Sequence, residues 1–215
     1  MVGTTTRPNV AVIGAGISGL TVGKMLGDYG VEYTCFESSD RIGGNWAFGN
    51  PNGHSSAYRS LHIDTSKERL SFRDFPMPPE YPDFPHHTQI KAYLESYAEA
   101  FDLKDNIEFE NGVVSATPVG ENAAGGWDIL DQAGATRHFD HLVVANGHHW
   151  KPRIPDWPGE FAGELIHSHA YVNPFDPIEM RGKRVIVVGM GNSAMDIASE
   201  LSAPWMASRR PKWST

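Results

Sequence analysis

The sequence predicts an α/β fold in which two βαβ-type units follow one another, the first nearly whole and the second only begun. Three observations carry this. A glycine run, Gly14-Ala15-Gly16-Ile17-Ser18-Gly19, follows a β-type stretch from Asn9 to Ile13 and opens a helical one. The pattern returns at Gly189-Met190-Gly191-Asn192-Ser193-Ala194, after Arg184 to Val188. Between them lies Phe161-x-Gly163-x-x-x-His167-x-x-x-Tyr171. One such glycine run is weak evidence, but two, each between strand and helix, predict Rossmann-like domains for two dinucleotides.

Asn9 to Ile13 is a short continuous apolar run, the signature of a strand buried on both faces of a parallel sheet. Helix one is expected from Ile17 to Tyr29, stopped by Gly30, and Val31 to Glu37 is a β-rich return with an acid at its tip. From Arg41 to Pro85 the chain is irregular and rich in Gly, Pro, Ser and aromatics, too long for a plain connection. Helix two is expected from Gln89 to Phe101. Ile107 to Thr117, Gly126 to Asp131 and Thr136 to Phe139 read as strands joined by turn residues, which predicts a small antiparallel insert. Leu142 to Ala145 is another buried strand. Pro and Gly then punctuate Trp150 to Gly159, a stiff linker. The domain boundary is placed at its end, giving 1–160 and 161–215. Lys183 to Val188 and Asn192 to Leu201 are the expected first strand and helix of the second unit. A mononucleotide-binding half needs three strands and two crossovers, yet 14 residues follow that helix, so the chain reads as a fragment.

Composition bounds the function. The 215 residues are 40% hydrophobic and 20% charged, ordinary for a soluble globular protein. A formal charge of -8 argues against a nucleic-acid surface, since clustered cations are few, as at Arg209, Arg210 and Lys212 near the end. Cys35 is the one cysteine, which excludes an internal disulfide and a Cys-x-x-Cys redox pair and fits a reducing cytoplasm. The run Val10 to Leu20 contains four Gly or Ser residues and lacks a basic flank, unlike a signal-peptide core. No stretch reaches the roughly 18 apolar residues of a membrane span.

The candidate binding residues follow from the fingerprints. Gly14 permits the tight turn, Gly16 admits a pyrophosphate to the backbone, and Gly19 lets helix pack on strand, while the helix N-terminus offers N–H groups and partial positive charge. Glu37, 18 residues beyond Gly19, is spaced to accept hydrogen bonds from ribose hydroxyls. Gly43-Gly44-Asn45-Trp46, just past Arg41, would extend the loop, with an indole able to cover a ring or to sit in the core behind a turn. His86-His87 and His148-His149 lack ligand spacing, so no metal is assigned. Ser18, Ser193 and Cys35 lack a partnered base.

Taken in order, Gly14 to Gly19, Glu37, Gly43 to Trp46, Ser66-Lys67-Glu68 with Asp74-Phe75-Pro76, Ala145-Asn146-Gly147, the Phe161 to Tyr171 signature and Gly189 to Ala194 make the chain resemble an N-terminal portion of the flavin-containing monooxygenase family. The resemblance covers nearly the whole chain, and the spacing of many motifs makes it specific. It implies FAD on the first fingerprint, held by Gly14, Gly16, Ile17, Ser18, Gly19, Glu37, Arg41, Gly43, Gly44, Asn45, Trp46 and Ala145 to Gly147. It implies NADPH on the second, at Gly189, Gly191, Asn192, Ser193 and Ala194. Arg209 and Arg210 stand where guanidinium groups could meet a 2'-phosphate, or form a solvated basic tail. The signature belongs at the hinge between domains, where His167 is a linker histidine rather than a base. Asp64 is the candidate catalytic residue and a departure, because the family commonly has Asn there, facing the flavin. Either burial keeps this carboxyl neutral or the chemistry differs.

The implied activity is an NADPH-dependent monooxygenase that inserts one atom of O2 into a small nitrogen or sulfur nucleophile through a flavin C4a peroxide. Two alternatives stay open: a pyridine-nucleotide flavoprotein reductase, disfavoured in its disulfide form by the cysteine count, and a truncated chain that binds nucleotide without turnover. Partners are a small-molecule substrate and O2, with oligomerisation open.

Overall fold

The computed structural model describes residues 7–203. They divide into two compact units, 7–55 with 88–148 and 56–87 with 149–203. The irregular stretch after Ser55 therefore shares a compact unit with the second glycine run, although the sequence boundary at residue 160 groups it with the first.

In the first unit, β1 (Asn9–Ile13), β2 (Glu32–Phe36), β3 (Ile107–Glu108) and β7 (His141–Val144) form a parallel sheet in the order β3-β2-β1-β7. Continuous apolar strands need cover on both faces, and Val10, Ala11 and Val12 are buried as that requires. α1 (Ile17–Asp28) is the crossover from β1 to β2, and Gly30, in left-handed conformation, turns the chain back. β1 pairs on one side with β2 and on the other with β7. The loops leaving β1 and β7 thus diverge at a topological switch point, where open α/β sheets bind ligands. α3 (His87–Ala100) buries Ile90, Tyr93, Leu94, Tyr97 and Ala98, a helical periodicity.

The antiparallel insert is present as β4 (Val113–Pro118), β5 (Trp127–Asp131) and β6 (Thr136–Phe139) in the order β4-β5-β6. Its inward residues Ile129 and Phe139 pack with Ala11 and Phe36 of the parallel sheet. The single strand expected over Ile107 to Thr117 is two. Glu110 adopts a left-handed φ of 55°, and its N–H donates to the Ser39 carbonyl, so the chain leaves one sheet before entering the other.

The second unit holds α2 (Lys67–Leu70) and α4 (Asn192–Leu201), the latter with the bounds the sequence predicts. Lys183 to Val188, expected as a strand, has no ladder among the described residues. Val185, Ile186 and Val188 are 42%, 78% and 70% exposed. A strand satisfies its backbone only through a neighbour, and none of the described residues supplies one here. The core of this unit is instead Tyr58, Tyr171, Met180 and Ile197, with Leu61, Ile166, Phe175 and Leu201 around them. No helix among the described residues is long and apolar enough to cross a membrane.

Candidate functional site

At the end of β1 the Gly14 N–H donates to the Phe36 carbonyl (2.8 Å), and Gly14 has a φ of +98°. A Cβ there would stand 2.7 Å from the Ala145 carbonyl oxygen, and one at Gly19 would stand 1.8 Å from that of Gly14. Both positions need glycine for backbone contact alone. Gly16 differs, because its added Cβ would meet only the Gly44 Cα at 3.7 Å, an ordinary contact. Among the described residues nothing forbids a side chain at Gly16. Gly16 is the N-cap of α1, and no side chain caps that helix, so its first N–H groups lack the usual side-chain acceptor.

The Gly43-Gly44 turn closes on this loop. The Gly43 N–H donates to the Ala15 carbonyl (3.1 Å), and a Cβ on Gly44 would lie 3.2 Å from the Gly16 Cα. Two stretches of bare backbone therefore converge over the start of α1. Glu37 is buried just beyond β2 and braces the arrangement: Oε2 accepts from the Ala15 N–H (2.7 Å) and Oε1 from the Ser39 N–H (2.7 Å). Oε1 also accepts from the Ser38 hydroxyl (3.4 Å), so Oε2, with its one backbone donor, is the oxygen that retains acceptor capacity for a ribose hydroxyl. Asn45 and Trp46 lie in the short 3-10 turn Gly44–Trp46, and the Asn45 carbonyl accepts from the Ser55 hydroxyl (2.7 Å). Ala145 follows β7 beside Gly14, its N–H on the Ile13 carbonyl (2.9 Å), with Asn146 and Gly147 exposed beyond it.

Arg41 is not drawn into this group. Its guanidinium is forked on Asp40, Nε to Oδ1 at 2.6 Å and Nη2 to Oδ2 at 2.7 Å, which holds the Asp40 carboxyl down at about 2. Cys35 is buried on β2, and burial, reinforced by the Glu37 charge, pushes its thiol up to about 12, which removes it as a nucleophile. Ser39 and Asn50, unmarked in the sequence reading, join side chain to side chain at 2.6 Å and anchor the loop that carries Gly43. The Asn50-Pro51-Asn52-Gly53 turn signal was the available clue.

In the second unit Gly189 has a φ of +129°, and a Cβ at Gly191 would meet nothing within 4 Å among the described residues. Gly191 is the N-cap of α4, again without a side-chain cap. The Asn192 side-chain amide donates to Asp64 Oδ2. Asp64 is exposed rather than buried, and its partner is the second glycine loop. Ser193 and Ala194 are half-buried in the first turn of α4. Arg209 and Arg210 lie outside the described residues.

α4 is fastened by its acids, which the sequence reading did not single out. Asp196 accepts from the Tyr58 hydroxyl, while Glu200 Oε2 accepts from Tyr171 Oη (2.8 Å) and Ser60 Oγ (3.0 Å). Their i, i+4 spacing places both carboxylates on one face of the helix. Burial first, then the adjoining carboxylate, pushes both phenols above their ordinary range. Tyr171 of the signature is thus a core residue whose hydroxyl reaches α4. His167 caps the turn Ser168–Ala170, its Nδ1 accepting from the His169 N–H (3.0 Å). Tyr171→Phe keeps the ring and removes one donor to Glu200, so it lowers the stability of this unit by about 1 kcal/mol, checked by urea denaturation.

Residues 7–210 match the family model described as flavin-binding monooxygenase-like. The chain is 42% identical over 203 residues to dimethylaniline monooxygenase (N-oxide-forming) 2 of Mus musculus, covering 90% of this chain and 37% of that protein. It is 39% identical over 222 residues to flavin-containing monooxygenase 5 of Homo sapiens, covering 97% and 41%. Among solved structures it resembles S-allyl-L-cysteine S-oxygenase from Allium sativum, with a TM-score of 0.79, 30% identity and coverage of 91% and 49%. An oxidized steroid monooxygenase bound to NADP aligns with a TM-score of 0.59, 29% identity and coverage of 87% and 35%. The chain therefore spans well under half the length of these curated relatives.

Proposed function

The chain belongs to the flavin-binding monooxygenase-like family, and we propose that it carries the FAD cradle and the opening of the NADPH site of a monooxygenase. One observation carries the proposal: Gly16 and Gly44 bring bare backbone together over the uncapped start of α1, where no contact among the described residues demands glycine at Gly16. A diphosphate needs that approach, so the residues present fit FAD. On this reading Ile17 and Ser18 present N–H groups to the phosphates, Glu37 receives the ribose hydroxyls, and Gly43 to Trp46 with Ala145 to Gly147 line the approach. The second loop fits NADPH by its open Gly191 and uncapped α4, with Arg209 and Arg210 for a 2'-phosphate.

The functional division then follows the chain, 1–160 for FAD and 161–215 for the hinge signature and the start of the NADPH domain. When bound, NADPH supplies hydride and FAD the oxygen-transfer chemistry. The protein binds, orients and excludes water. Small nitrogen and sulfur nucleophiles are the substrate class, by analogy with an N-oxide-forming relative and an S-oxygenase neighbour. A reducing compartment such as the cytoplasm suits the single buried thiol.

A second reading has its own support. Lys183 to Val188 lacks a ladder among the described residues, and this favours a chain that binds flavin without being reduced by NADPH. One experiment separates the two. The purified chain is expected to hold FAD, seen as the visible absorbance of oxidised flavin. Anaerobic bleaching by NADPH supports the oxidoreductase, a stable colour supports the passive binder, and a chain that stays colourless after incubation with FAD defeats both.

A further inference from the structure

We propose that Asp64 sets the affinity of the second glycine loop for its anionic dinucleotide, because its carboxylate engages Asn192, the first residue of α4. The inference rests on that loop being the NADPH site. It goes beyond that reading in assigning Asp64 to the nicotinamide cofactor.

Three contacts keep the segment carrying Asp64 against α4. Tyr58 donates to Asp196, Ser60 donates to Glu200, and Asp64 accepts from Asn192. The bond to Asn192 is therefore the end of a docked segment, not the chance contact of a free loop. Asp64 is exposed, and it joins no ion pair among the described residues.

The N-terminus of a helix favours negative charge, through its unsatisfied N–H groups and its dipole. α4 has no side-chain cap of its own. Asp64, remote in sequence, brings a carboxylate to the first residue of that helix, which is the kind of charge a pyrophosphate would bring. An incoming dinucleotide meets like charge there and competes for the Asn192 amide. Asn at position 64 would preserve size and an acceptor for Asn192 while removing the charge.

The test is a calorimetric titration of the FAD-loaded chain with NADP+, which needs no turnover. Asp64→Asn is expected to bind roughly fivefold more tightly than the wild type at low salt, and the difference is expected to shrink in about 0.5 M salt as the charge is screened. Asp64→Glu, which keeps the charge, is expected to show no tightening. Flavin content serves as the folding control, since the proposal leaves the first unit unchanged. Equal affinity of Asp64→Asn and wild type overturns the proposal and leaves the NADPH site standing. Weaker binding by Asp64→Asn also overturns it, making Asp64 a direct ligand contact. If flavin is held and no variant binds NADP+, the reading of the second loop fails and the inference goes with it.

Discussion

Gly16→Ala is expected to leave the first unit folded and strip it of flavin, whereas Gly19→Ala is expected to destabilise the unit strongly. The two glycines belong to one fingerprint, but different contacts require them. At Gly19 an added Cβ would lie 1.8 Å from the Gly14 carbonyl oxygen. That oxygen cannot retreat, since the Gly14 N–H is bonded to Phe36 and Gly14 already abuts the Ala145 carbonyl. Overpacking against fixed backbone costs about 3 kcal/mol or more, a large part of a domain's stability. At Gly16 the same methyl meets the Gly44 Cα at 3.7 Å, which the fold accepts. What it fills is the space a diphosphate needs, so FAD affinity should fall by at least about tenfold with little change in denaturation midpoint. Flavin fluorescence titration and urea unfolding read the two effects separately. A Gly16→Ala chain that binds FAD as the wild type does would show that the cradle is not a phosphate site.

Arg137→Met is the second large effect, on stability. Arg137 on β6 grips Glu108 of β3 with two bonds, 2.7 and 2.6 Å, and reaches Asp131 of β5 at 3.2 Å. Its guanidinium also lies 4.6 Å from the Phe36 ring centroid. One side chain thus ties the antiparallel insert to the parallel sheet. Removing it leaves Asp131, a buried residue, to Asn111 and the Ala135 N–H. The Arg137 and Glu108 side chains are 34% and 38% exposed, so solvent screening discounts the loss to about 2 kcal/mol at neutral pH.

The pH dependence of that loss has a definite sign. The bond to Arg137 holds the Glu108 carboxyl below its ordinary 4.5. Asp131 is also lowered, from 3.8: burial pushes it upward, and the Ala135 N–H, Asn111 and Arg137 outweigh that. Carboxyls lowered by folding contribute stability above their unfolded values and lose it as the pH falls through the folded ones. The gap between wild type and Arg137→Met should therefore be full at pH about 7 and narrow below pH about 4. Urea unfolding at the two pH values measures it, and a gap that widens in acid would refute the assignment.

Legibility in the sequence followed the range of the interactions. β1, β6 and α4 have the bounds that local pattern predicts, because buried periodicity and glycine punctuation are local signals. The division of Ile107 to Thr117 was not legible, since it depends on Glu110 turning back to Ser39, far away in sequence. Arg41 shows the same limit at the site: the resemblance places it among the FAD residues, and that its guanidinium forks on the neighbouring Asp40 is seen only in the structure. Tyr58, Asp196 and Glu200 carried no motif, and only their pairing across more than a hundred residues identifies them as the fastening of α4.

By itself the sequence determined the two glycine loops, the strand and helix around the first, and the acid that follows it, because backbone conformation and apolar alternation are written in neighbouring residues. The tertiary structure alone decided that Glu37 accepts from the Ala15 N–H of the glycine loop, that Gly44 meets Gly16, and that Asp64 answers to α4. Those are contacts between distant segments, and their partners are chosen by packing and by the requirement that buried polar groups be satisfied, which no local pattern encodes.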